Sequence, residues 1–264
     1  MIPMTKAVVT LAGGDKYLPS AAVQALELRA IGCDWPHIVF TLPGEDLGHY
    51  HNFFLDHGSE VREVTGYEGH PWTAKTNAVV QAGAETALFL DSDCLPLIDP
   101  DDLLEDDGFK LTGSMFWRDF GIANPDSRLW KFCGVEPQHE FEFEAGQILL
   151  HTPRCGDALE TMLGFNKRWQ EAYAITHGDK DVWRMAWHRS KTPWAWASPN
   201  ISIYMDDTGA GRAIVQSLGD KPAFLHRVHS KFSLEGDNWF RTGVPNAARC
   251  LHHLEYLREY LSKQ

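Results

Sequence analysis

The sequence predicts an α/β fold built on a mainly parallel, doubly wound sheet, and three observations predict it. Short apolar runs alternate with helix-patterned segments through the first third of the chain. Gly and Pro punctuate each change of pattern. One apolar run, Thr86-Ala87-Leu88-Phe89-Leu90, ends in a carboxylate pair, Asp91-Ser92-Asp93, which such a sheet would place at the carboxyl edge where ligands bind.

The elements follow in order. Lys6–Leu11 reads as a strand and Ala12-Gly13-Gly14-Asp15 as the loop after it. Pro19 and Ser20 open a helix with Ala22, Val23, Leu26 and Ala30 on one face. His37–Thr41 is a second strand, Leu47–His57 a helix, and Glu60–Val64 a short third strand. After the Gly66–Pro71 loop, a helix carries Lys75 and Asn77-Ala78-Val79-Val80, and the strand ending at Asp91 follows. Beyond Leu97 the pattern is less regular. Gly146–His151 and Ala223–His226 are strand-like, while Thr152–Leu163, Asp179–Trp187 and Asn246–Leu261 have helical spacing. With no repeat or linker, the chain is expected to be a single domain over 1–264. Its expected subdivisions are 6–96, 97–245 and a C-terminal helix over 246–264.

Composition narrows the class. A formal charge of −12 argues against a broad nucleic-acid surface. The five cysteines are odd in number and lack CxxC spacing, as expected of reduced thiols. No apolar run reaches the length of a membrane span, and the N-terminus lacks a signal-peptide layout, so a cytoplasmic protein is expected. Trp183, Trp187, Trp194 and Trp196 crowd one region, where either core packing or sugar stacking would use them.

Asp91 and Asp93 are separated by one residue, so on extended backbone their side chains share a side. Two carboxylates that close repel each other, and a hard cation carrying phosphate oxygens relieves the repulsion. The loop Leu11–Tyr17 is neither a Walker loop nor a GxGxxG fingerprint, which counts against a kinase, an ATPase or an NAD enzyme. Tyr17 either stacks on a base or packs at the helix start. Lys75 lies beside the carboxylate-bearing edge, where a substrate-facing role competes with a solvated one. Glu144 and Gln147 flank Ala145-Gly146 and either meet a polyhydroxylated ligand or form a turn. Asp179 is a natural N-cap, and Asp181 stands in the first helical turn; either also suits a sugar hydroxyl. His226, Arg227, His229 and Lys231, around Ser230, make a local positive patch suited to completing a metal shell and neutralising a diphosphate.

In this order the motifs resemble the retaining nucleotide-sugar glycosyltransferases of GT-A fold. The likeness is to the glycogenin and bacterial galactosyltransferase group and to the fungal-type α-mannosyltransferases. Lys6–Tyr17 and Lys75 through Asp91-Ser92-Asp93-Cys94-Leu95-Pro96 are similar to the first group. Glu144-Ala145-Gly146-Gln147 and Gly178-Asp179-Lys180-Asp181 are similar to the second. The His226–Lys231 segment departs from the first group's longer C-terminal motif. The resemblance implies a GT-A hexosyltransferase. It gives Asp91, Asp93 and either His226 or His229 to Mn²⁺ or Mg²⁺, and the Leu11-Ala12-Gly13 backbone, Tyr17 and Ser92 to a UDP- or GDP-sugar. Lys75, Glu144, Gln147, Asp179 and Asp181 would line the sugar, and Lys231 would face the leaving diphosphate. The acceptor would be a glycan or another hydroxyl. Two other readings stay open: a non-catalytic sugar-nucleotide-binding protein, and a transferase acting on a modified DNA base through a groove of Arg227, Lys231 and Arg241.

Overall fold

Four parallel strands set the frame in the computed structural model, which describes residues 4–14, 16–229, 231–236, 238 and 243–264. These are β1 (Met4–Leu11), β2 (His37–Thr41), β3 (Ser59–Glu63) and β4 (Ala84–Asp91), paired in the order β3-β2-β1-β4. Asp15, Ser230 and Arg241, all named from the sequence, lie outside the described residues. The helices Leu18–Ala30, His49–Asp56 and Pro71–Ala82 return the chain between these strands, as the alternating pattern predicts. Gly83 closes the last of them at φ 69°, a conformation glycine adopts without the Cβ penalty, and β4 starts at the next residue.

The later chain is less parallel than the first half suggests. After β5 (Cys94–Pro96), the strands β6 (Ser114–Ile122) and β7 (Phe141–His151) join the main sheet antiparallel to their neighbours β7 and β4. A two-residue strand, β8 (Ala195–Trp196), closes its edge parallel to β6. A second, antiparallel sheet has the order β5-β11-β10-β9, from β9 (Ile201–Met205), β10 (Gly211–Leu218) and β11 (Lys221–His226). The fold is therefore α/β with a mainly parallel central sheet flanked by helices. Trp183 and Trp187, on the helix Lys180–Ser190, are fully buried against Phe116 and its neighbours, so this pair packs the core and offers no face to a sugar. The C-terminal helix Ala247–Ser262 docks through Arg249, His253 and Asn246, all bonded to the buried Glu27 carboxylate.

A buried polar relay ties the first strands together. The Thr10 hydroxyl donates to Gln24 Oε1 at 2.6 Å, so it accepts from the His37 Nε2–H at 3.2 Å; His37 Nδ1 meets the Ser59 hydroxyl at 2.8 Å. Burial disfavours the charged ring and pushes the His37 pKa down to about 3, against about 6.5 when unfolded. Between those values only the unfolded chain binds the proton. Stability contributed by the neutral ring is thus full above about pH 6.5 and falls with acidity, by at most about 1.4 kcal/mol per pH unit. Urea denaturation at pH 7.5 and 5.5 should show this loss in the native chain and a smaller one in His37→Gln. Equal losses in both would contradict it.

Candidate active site

The carboxyl edge of the parallel strands opens into a cleft of about 530 Å³. Strand register builds it. Leu11, the last residue of β1, pairs with Asp91, the last of β4, so the loop after β1 and the carboxylate turn lie side by side. Cys94 on β5 pairs with His226 on β11, and the Arg227 N–H donates to the Asp93 carbonyl at 2.9 Å. That pairing brings His226 to Asp93 across a wide gap in sequence. One ligand atom each from Asp91, Asp93 and His226 lies within 4.8 Å of the others.

Gln24 holds the turn in place. Its side chain is fully buried, and its amide N–H₂ donates to the carbonyls of Asp91 at 2.7 Å and Cys94 at 2.6 Å, bracketing Ser92 and Asp93. Gly146 serves the histidine. A Cβ there would meet the His226 ring at 2.6 Å, so only glycine lets β7 pass this close beneath the imidazole.

Charges alternate around the cleft. Lys75 Nζ lies 2.8 Å from Asp91 and 3.2 Å from Asp179. Burial alone would lower its pKa, and the two carboxylates outweigh that and raise it. Asp179 occupies the N-cap position of Lys180–Ser190 without capping it; its side chain takes Lys75 and the Trp183 indole N–H instead. Burial pushes the Asp179 carboxyl up, against the pull of Lys75. Glu144 Oε1 accepts from the Gly146 N–H at 2.8 Å and stands 3.4 Å from His226 Nδ1. Burial would raise this carboxyl, yet His226 and the Gly146 N–H hold it down at about 2. His226, depressed by burial, is carried above its ordinary value by Glu144. Lys231 contacts the Asp93 carboxylate and donates to the Arg227 and Val228 carbonyls at 3.2 and 3.3 Å; burial lowers its pKa to about 8.

The residues picked from the sequence divide. Leu11, Gly13, Tyr17, Lys75, Asp91, Ser92, Asp93, Glu144, Asp179, His226 and Lys231 all line the cleft. His229 is exposed and outside the carboxylate cluster, so His226 is the histidine the geometry brings to it. Gln147 turns away from the cleft, with Cys94 and Gln216 as its partners. Asp181 is taken by Arg184 at 2.9 Å and by the Thr176 hydroxyl at 2.7 Å. Ala12 is buried and its N–H goes to the Phe40 carbonyl, which fixes the loop. Arg227 is buried too and stacks on Phe232, so it lines no open basic groove. Glu45, Trp72 and His177 line the cleft without having been singled out; Gln24 and Gly146 stand behind it. The sequence around Gln24 carries no sign of its role, whereas Trp72, His177 and Gly146 stand within two or three residues of Lys75, Asp179 and Glu144.

Residues 57–140, which include Lys75 and the Asp91–Asp93 pair, match a family model described as "Mannosyltransferase putative". No curated protein matches the chain. Among solved structures, the galactosyltransferase LgtC in complex with donor and acceptor sugar analogues aligns with TM-score 0.59 at 15% identity, over 96% of each chain. The glycosyltransferase GlyE of Streptococcus pneumoniae aligns with TM-score 0.50 at 16% identity, over 73% of this chain and 45% of that one. At such identities the likeness defines the fold, and the fold is GT-A. The family match and these structures make the chain similar to galactosyl- and mannosyltransferases.

Replacing Gln24 with Leu removes the amide and strands two buried carbonyls, at about 1–3 kcal/mol for each group left unsatisfied. Gln24→Leu should therefore lose about 2–6 kcal/mol in urea denaturation. A loss below about 1 kcal/mol would show that the clasp does not hold the turn.

Proposed function

We propose that the chain transfers a hexose from a UDP- or GDP-sugar to a glycan or other hydroxyl acceptor, with retention of configuration and with Mn²⁺ or Mg²⁺. The observation that carries this reading is the convergence of Asp91, Asp93 and His226 in the cleft. Two carboxylate oxygens and an imidazole nitrogen are a donor set suited to these cations. The residues fit the ion in charge as well, since five acids, Glu45, Asp91, Asp93, Glu144 and Asp179, line the cleft against Lys75, Lys180, Lys231 and His226. A cation bound there supplies positive charge to the donor's phosphate oxygens.

The chain's own groups divide the remaining work. Tyr17, exposed at the cleft mouth, offers a ring face to the base, and Glu45 offers an acceptor to a base N–H. Lys231 and Lys75 stabilise charge growing on the leaving diphosphate. Asp179, held by Lys75, accepts from a sugar hydroxyl. Glu144 and Asp179 are both paired, which supports attack from the face the diphosphate leaves. The acceptor oxygen then bonds to the anomeric carbon as the carbon–phosphate oxygen bond breaks, and a leaving phosphate oxygen takes the proton.

A thermal-shift screen of UDP- and GDP-sugars with and without Mn²⁺ tests the reading. A ligand present at a hundred times its Kd adds about 2.7 kcal/mol of stability, so the true donor should raise Tm by several degrees, and only with the metal. Asp93→Ala and Asp91→Ala should abolish the metal-dependent part and cut transfer at least 100-fold. Full metal-dependent turnover in either variant would overturn the assignment.

A further inference from the structure

We propose that Trp72 is the stacking platform for the acceptor's sugar ring, which makes the acceptor a glycan; this rests on the transferase reading above. Trp72 opens the helix Pro71–Ala82 and is half-buried in the cleft wall, together with Pro71 and His177. Other rings pack around it. His70 lies 4.8 Å from it, Tyr173 meets it edge-on at 5.0 Å, and His177 stands 6.2 Å away at 81°. Trp169 and Tyr173 also flank His70, at 4.9 and 5.0 Å. Five rings from two stretches of chain, 70–72 and 169–177, thus converge, and Tyr173 packs against the main hydrophobic core.

Their position gives the cluster a purpose. Asp179, placed above on the transferred sugar, and its partner Lys75 line the same cleft as Trp72 and His177, and Lys75 lies one helical turn after Trp72. The Tyr173 hydroxyl is buried without a hydrogen-bond partner. Tyr17, the ring suited to a base, belongs to a different loop. The cleft therefore has two aromatic stations, and the one beside Asp179 is free for the second substrate. A pyranose presents one face of C–H bonds whose partial positive charge suits the negative face of an indole, while its hydroxyls stay at the edge for polar partners. A peptide hydroxyl presents no such face, and a nucleobase, which would stack there as well, runs against the chain's formal charge of −12.

The test uses an array of immobilised oligosaccharides with varied terminal hexoses, probed with the full chain in Mn²⁺ and nucleoside diphosphate. The native chain should be retained on a subset of glycans. Trp72→Phe should keep that binding within about threefold, and Trp72→Ala should lose at least tenfold. No retention of the native chain, or unchanged retention of Trp72→Ala, overturns the proposal. If Trp72→Ala does not fold, 5-fluorotryptophan labelling replaces it. The ¹⁹F resonance missing from Trp72→Phe must then shift when a free retained glycan is added to the native chain, and a static resonance overturns the proposal. The metal-dependent thermal shift with nucleotide sugars is read separately on the native chain. If it persists while glycans fail, the acceptor assignment falls and the donor reading stands.

Discussion

The structure depends on one electrostatic constraint: of the five carboxylates facing one cleft, four, Asp91, Asp93, Glu144 and Asp179, meet deep in the site, and three of these are almost wholly buried. Buried charges of one sign are tolerated only when paired. The partners come from elsewhere in the chain. Lys75 on a helix of the parallel half holds Asp91 and Asp179, while His226 and Lys231, at and after the end of β11, hold Asp93 and Glu144. Each pair crosses from one part of the fold to another, so charge balance and tertiary structure are the same requirement. The Gln24 clasp and the glycine beneath His226 serve that requirement by fixing the backbone from which the charges project.

This arrangement explains why part of the site was legible in the sequence and part was not. Residues at the ends of parallel strands could be read, because the alternation of strand and helix already places Leu11 and Asp91 at one edge. Lys75 was legible for the same reason, from its place on the helix before β4. The choice between His226 and His229 was not, since it turns on the pairing of Cys94 with His226 in a strand of three residues. Gln147 and Asp181 looked like sugar ligands by their neighbours in sequence. Their side chains instead satisfy Cys94 and Gln216 in one case and Arg184 and Thr176 in the other. Gln24 carried no local signal at all. A glutamine in an alanine-rich helix shows its role only when the turn it holds is in view.

Aromatic residues show the same limit. The crowded tryptophans near the middle of the chain attract attention, and Trp183 and Trp187 prove to be core. Trp72, in the cleft wall, and Trp169 are far apart in sequence and meet through His70 and Tyr173. Sheet topology, which joins an antiparallel pair and a second small sheet to four parallel strands, is what gathers them. It also explains why the first half of the chain read more clearly than the second.

The proposed function stands on Asp91, Asp93 and His226 holding a divalent cation against a diphosphate. A crystal grown with Mn²⁺ and a nucleoside diphosphate, measured at the manganese edge, shows whether they do. The expected result is one strong anomalous peak within about 2.0–2.5 Å of a ligand atom from each of the three residues, with phosphate oxygens completing the shell. A bound diphosphate with no manganese peak among those side chains would contradict it.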